Sequence, residues 1–196
     1  MKLFKHIFIF FCITGTVRSQ EVFPSNTFIQ TCYNNEMCFA NQNSSYLIYN
    51  EASSEFYLTI DFVKFRTGVD TIDAWLNDLD DTKFVFKGSL GSDKLPALSN
   101  HGAKTIHVSG IANFNNIANP YALDIVFFKI SQDGMLFRNS GNDYYDKVRV
   151  NIQLSFKPKE FKLDRKPHHL KKVISINIGS GHINLFKPGL EEYIEQ

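Results

Sequence analysis

The chain has 196 residues, with 21 lysines and arginines against 20 aspartates and glutamates, for a formal net charge of +1. That balance lacks the basic field by which proteins gather on nucleic acid, and the length suits one domain with a substantial buried core. Phenylalanine is the outlier at 19 residues, calling for an interior that needs large fillers or a large apolar guest, although a codon bias shared with the plentiful Asn, Lys and Ile explains part of the excess.

Lys2 and Lys5 precede an apolar run from Ile7 to Ile13, and Val17-Arg18-Ser19 offers a cleavage site, the pattern of a secretory signal peptide over residues 1–19. The run is too short to cross a bilayer as a stable helix, and no later segment reaches about 18 apolar residues; an uncleaved anchor is the weaker alternative. Cys12 lies in the run without the small residues that precede a lipid-modified cysteine. The expectation is a soluble exported protein, periplasmic or secreted, forming one domain over residues 20–196. Loss of Lys2, Lys5 and Arg18 leaves it slightly negative.

Residues 20–44 are polar and irregular, with Phe28 and Phe39 as anchors for one or two short strands. Cys32 and Cys38 survive processing in a compartment that permits disulfides. A bridge between them is sterically feasible and closes a small loop; the spacing is not C-x-x-C, which argues against redox catalysis. Asn43-Ser44-Ser45 matches a glycosylation acceptor.

Ser45–Asn50 and Phe56–Phe65 read as a hairpin, with Phe56, Leu58, Ile60 and Phe62 on one face. At Asp70 the period changes: Ile72, Trp75, Leu76 and Leu79 fall at helical spacing, with Asp70 as N-cap and Asp73 in the first turn, where the helix dipole favours negative charge. Trp75, the only tryptophan, is expected to seal the end of the sheet. Thr82–Leu90 is a strand with Phe84 and Phe86 inward, followed by a loop of Gly, Ser, Asp and Pro to Ala103.

The stretch Lys104–Ser131 organises the rest. Ile106, Val108, Gly110, Ala112 and Phe114 share one face, Asn115–Pro120 supplies the turn, and Tyr121, Leu123, Ile125 and Phe127 return along the same face. Val126, Phe128 and Ile130 make the opposite row apolar as well, so both faces are partly covered. Met135–Arg138 is a short strand and Asn139–Asp143 a turn. In Tyr145–Phe156, Val148, Val150, Ile152, Leu154 and Phe156 alternate with polar residues. Val173–Ile178 and His182–Phe186 are the last strands, and Glu191–Gln196 is a polar tail.

About eight strands in short-turn succession, with one short helix, make an all-β, up-and-down antiparallel sheet, which closes into a barrel because closure removes exposed edges. A barrel of this strand number either holds one small ligand or fills with side chains, and alternation does not choose between them.

Val108-Ser109-Gly110-Ile111-Ala112-Asn113-Phe114, the turn, and Pro120-Tyr121-Ala122-Leu123-Asp124-Ile125 resemble the V-T-G-x-L-T-x-H-G-V-x-x-P-V-x-L-D-V stretch of YceI-like proteins. Phe65-Arg66-Thr67-Gly68, Leu76–Phe86 and Ser155–Phe161 resemble further landmarks of that family in the same order, so the likeness covers about residues 45–187. Asn115-Asn116 stands where the family usually has His-Gly, and the helix region is shorter. The resemblance implies a lipocalin-like barrel with an elongated apolar cavity that binds polyisoprenoid or another long-chain lipid.

On that reading, a ligand touches Phe62, Phe84, Phe86, Val108, Phe114, Leu123, Ile125, Phe127, Val150, Ile152 and Leu154, with Trp75 and Tyr121 bordering the mouth. The same residues also describe an ordinary barrel core. For chemistry the sequence offers little. His168-His169 is an adjacent pair whose rings would point to opposite faces of a strand, and His101, His107 and His182 are isolated, which leaves no metal spacing. Ser180 does not sit in a G-x-S-x-G elbow. No enzyme, cofactor or metal is expected. The basic run Arg165–Lys172 reads as a solvated loop, with transient contact to a lipid headgroup or anionic membrane as the alternative. The runner-up function is a structural or protein-interaction β-domain with a filled core.

Overall fold

Strand after strand of alternating residues closes on itself in the computed structural model, which describes residues 22–30, 39–79, 81–90, 102–129, 144–163 and 172–194. Eight strands form the wall: β1 Ser25–Gln30, β2 Phe39–Asn50, β3 Glu55–Asp61, β4 Lys83–Ser89, β5 Ala103–Phe114, β6 Ile117–Lys129, β7 Tyr144–Phe156 and β8 Ile174–Leu185. Each pairs antiparallel with the next, and β1 pairs with β8 to close the barrel. Because β1 is short, the seam beyond it is made directly, with Leu47–Tyr49 of β2 running parallel to Ile183–Leu185 of β8.

The β5–β6 hairpin is the longest continuous ladder, twelve pairs from Ala103↔Phe128 to Phe114↔Ile117. Its turn is tighter than the residues suggest. Asn115 and Asn116 alone reverse the chain, with φ of 52° and 58°, the left-handed pair that matches the twist of the flanking strands and that asparagine tolerates. Pro120 therefore lies inside β6, not in the turn. Counting from the turn, Ile111↔Pro120 is a non-hydrogen-bonded pair, so the proline nitrogen faces away from β5, on the side where β6 has not yet met β7, whose pairing begins at Asp124. No ladder bond is lost. On the facing pair Gly88↔Gly110, a side chain at 110 would start 2.1 Å from the Lys87 carbonyl, so β4 and β5 approach closely only because glycine is there.

Four other expectations change. The expected last two strands are one strand: Val150 pairs with Gly181 and Ile152 with Ile178, so β8 carries an extra residue. Ser180 takes φ 50° in this bulge, the Asn151 side chain accepts from its N–H at 2.9 Å, and the inward row shifts from Ile174, Ile176 and Ile178 to Gly181 and Ile183. The expected strand through Phe65 ends at Asp61, whose carboxylate accepts from the Val63 N–H and opens a 3-10 turn over Phe62–Lys64. The polar tail is partly structural: Tyr193 and Ile194 pack on the outer wall against Ile48, Tyr57 and Leu190. That is why Ile48 and Tyr57 are buried although they face outward. Phe28, expected as an anchor, is 44% exposed on the outside of β1.

The helix, α1 Asp70–Asn77, begins one residue earlier than a side-chain cap at Asp70 would require, with Val69 at the N-cap and no cap bond from it. Asp73, inside the helix, instead ties down the segment that leads into it. Its carboxylate accepts from the Thr67 N–H and hydroxyl, both at 2.7 Å, and from the Gly68 N–H at 3.3 Å. Ile72 and Leu76 are buried against the barrel end. Cys32, Cys38, the Met135–Arg138 strand, its following turn, the leader and residues 165–171 lie outside the described residues.

Candidate functional site

Eleven of the expected ligand-lining residues point into one interior cluster: Phe62, Phe84, Phe86, Val108, Phe114, Leu123, Ile125, Phe127, Val150, Ile152 and Leu154 are all buried there, and Trp75 packs against it half-buried. The alternation read from the sequence therefore places these rows correctly. Phe86 and Val108 lie over Gly88, occupying the space a side chain at 88 would take, a large-beside-small arrangement that packs the interior at that point.

Toward the α1 end the filling is aromatic. Phe114 lies 5.1 Å from Phe62, 5.5 Å from Phe156 and 5.8 Å from Phe161, while Phe84 meets Phe156, Phe161 and Tyr121 edge-on at 6.0, 5.9 and 5.8 Å. These offset and edge-to-face contacts are the geometries aromatic quadrupoles favour. Beside them, beneath the helix, is a cavity of about 30 Å³. The barrel contributes Ile29, Phe62, Phe114, Phe156 and Ile174, and the lid contributes Phe65, Ile72, Trp75, Leu76 and Leu79; Thr67 is the sole polar side chain of the lining. Of the residues expected to line a ligand, Phe62, Trp75 and Phe114 border this cavity.

Sequence reasoning missed Phe65, Phe156 and Phe161 as parts of the site. Phe156 was read as an inward residue without being linked to the helix. Phe161 lies beyond the end of β7, in a 3-10 turn Pro158–Phe161 that folds back across the barrel end; the signal was Pro158 one residue after an alternating strand, with an aromatic one turn later. Tyr121 borders the same end. Burial pushes its phenol up to about 12, and its hydroxyl donates to the Ser155 carbonyl, so it stays neutral and committed.

A roomier depression of about 140 Å³ lies outside the barrel under the C-terminal segment, among Tyr46, Thr59, Asp61, Lys64, Lys83, Glu192 and Tyr193. Its cations are engaged in tying that segment down. Lys64 donates to the Tyr46 hydroxyl at 2.6 Å and lies 3.7 Å from Asp61, and Lys83 donates to the Glu192 carbonyl at 3.0 Å. The His107–Asp124 pair, 2.8 Å apart, stands exposed on the outer wall. Among the described residues no group of three or more His, Cys, Asp or Glu could hold a metal ion, and no helix is long and apolar enough to cross a membrane.

No family model matches the sequence, and no curated protein matches it either. Solved structures do resemble it. A polyisoprenoid binding domain from Saccharophagus degradans, implicated in plant cell wall breakdown, aligns over 78% of this chain and 88% of its own, with 12% identity and a TM-score of 0.54. BcnA of Burkholderia cenocepacia aligns over 81% and 94%, with 15% identity and a TM-score of 0.50. The YceI protein of Campylobacter jejuni aligns over 95% and 100%, with 13% identity and a TM-score of 0.45. The chain thus has the closed antiparallel barrel fold of that polyisoprenoid binding domain and of BcnA, the architecture its YceI-like sequence landmarks imply.

Proposed function

We propose that this protein is an exported binding protein that takes up a long-chain apolar molecule, a polyisoprenoid or similar lipid, between α1 and the aromatic end of the barrel, for transport, storage or sequestration. The observation that carries the reading is the composition of that end: an apolar and aromatic interior opens beneath a helix-covered rim. The shared fold with a polyisoprenoid binding domain supports it, and the leader-like residues 1–19 support export to a periplasmic or extracellular space.

The packing of the rings at that end bears on the ligand class. Association costs on the order of 4–15 kcal/mol, and opening a packed aromatic end adds several more. Each buried CH₂ returns about 0.8 kcal/mol, so a chain of about ten carbons does little better than break even, whereas about twenty carbons bind. Short fatty acids and small aromatics are therefore poor ligands. No step of this reading requires catalysis or a cofactor.

The rings in mutual contact favour a second reading, a structural or protein-binding barrel whose core is simply full. Native mass spectrometry of protein purified from a secretory host separates the two. Carriage of one long-chain apolar molecule per chain, lost on extraction with chloroform and methanol and regained from lipid extract, is the expected result. Protein that neither carries nor regains such a mass is the filled barrel.

A further inference from the structure

The aromatic end of the lumen is stoppered by a residue of no strand. Pro158 presets the first turn of the 3-10 strap, and Lys162 ends it in the left-handed region at φ 53°. The tight reversal swings Phe161 back over the barrel, where it is fully buried. Its ring stacks on Phe156 at 5.4 Å and 11°, and meets Phe114 and Phe84 edge-on at 5.8 and 5.9 Å. Phe114 and Phe156 in turn border the cavity beneath α1, so the Phe161 ring is one side chain removed from it. Two amide side chains near the β5–β6 turn hold the strap from outside. Asn115 donates to the Phe161 carbonyl at 3.2 Å and Asn119 to the Glu160 carbonyl at 2.7 Å.

We propose that Phe161 is a displaceable plug: the strap swings out and the ligand's hydrocarbon chain takes the ring's place against Phe84, Phe114 and Phe156. This rests on the lipid-binding reading above. Phe161 is the candidate because a strap held by side-chain amides at its edge opens without breaking a barrel ladder, whereas every other ring of the cluster except Phe62 and Phe65 is carried by a strand. The chemistry it uncovers is one-sided. The rings it leaves offer no hydrogen-bond donor except Tyr121, whose hydroxyl is already given to Ser155. The chain therefore enters tail first, and its polar head stays at the rim, where Lys159 and Lys162 are exposed.

A ligand that must wait for a plug binds more weakly by the fraction of time the plug is out. Stopped-flow and equilibrium titration with cis-parinaric acid, a fluorescent polyene fatty acid, measure both the rate and the affinity. The wild-type association rate should level off at high probe concentration, limited by strap opening. Phe161→Ala should bind about tenfold tighter, and Asn115→Gly/Asn119→Ala, which removes both amides but keeps the left-handed turn, should raise the plateau rate. If Phe161→Ala does not fold, the double asparagine variant decides alone. A wild type that binds with a rate linear in concentration, joined by variants with unchanged rate and affinity, overturns the plug and leaves the binding reading standing. Failure of all three proteins to bind overturns that reading and the plug with it.

Discussion

Phe114 sits among four rings of the aromatic end, those of Phe62, Phe84, Phe156 and Phe161. Truncation removes both its transfer free energy and the support of four rings. Phe114→Ala should cost about 3–5 kcal/mol, read as a lowered urea midpoint. At the opposite end of the barrel one residue carries a pH dependence. Burial, with the Arg149 guanidinium adding to it, pulls the His182 imidazole down to about 4 from an ordinary 6.5. Phe23 stacks on that ring at 5.5 Å, and the His182 backbone N–H donates to the Ser25 hydroxyl. Between pH 6.5 and 4 the unfolded chain takes up a proton at His182 that the folded chain refuses, so stability falls as pH drops through that window and levels off below it. Urea midpoints of the wild type measured from pH 7 to pH 4 should decline more steeply than those of His182→Gln; parallel curves would show that His182 is not the group responsible.

Among the elements, α1 depends on a single carboxylate. Burial pushes the Asp73 carboxyl up, but the hydrogen bonds from Thr67 and Gly68 outweigh it and hold it below its ordinary range. Asp73→Ala removes the hydrogen bonds that tie Thr67 and Gly68 to the lid's first turn and should cost about 1 kcal/mol. Amide exchange in residues 70–77 should quicken more than exchange in the β5–β6 ladder, because the lid and the wall open separately. The strands were legible in the sequence because burial on one side imposes a period of two, and Tyr145–Phe156 shows it without a break. The helix start was misplaced because Asp70 looks like an N-cap, whereas the carboxylate that fixes the approach to the helix is that of Asp73, inside it, reaching back to Thr67 and Gly68. The turn at Asn115-Asn116 was read too long because Pro120 looks like turn chemistry; only the absence of a β7 partner at that height makes it acceptable in a strand. β8 was split in two because a bulge at Gly179-Ser180 changes the parity, and parity is the sole signal a strand gives. Of the site, the wall rows were legible and the stopper was not, since Phe161 reaches the lumen through a reversal of the chain that no periodicity announces.

At the scale of the molecule, closure around β1 and β8 removes the edges of the sheet, and the C-terminal segment and Val22 cover part of its outer wall. The interior then has two uses for the same phenylalanines: to fill the barrel, or to yield to a chain of greater apolar area. Ring-selective carbon-13 NMR of phenylalanine-labelled protein, titrated with geranylgeraniol, separates these uses ring by ring, with Phe28 on the outer wall as an internal reference. The account predicts that Phe84, Phe114, Phe156 and Phe161 shift together and saturate at one ligand per chain while Phe28 stays put. Shifts at Phe28 alone, with the interior rings unmoved, would contradict it.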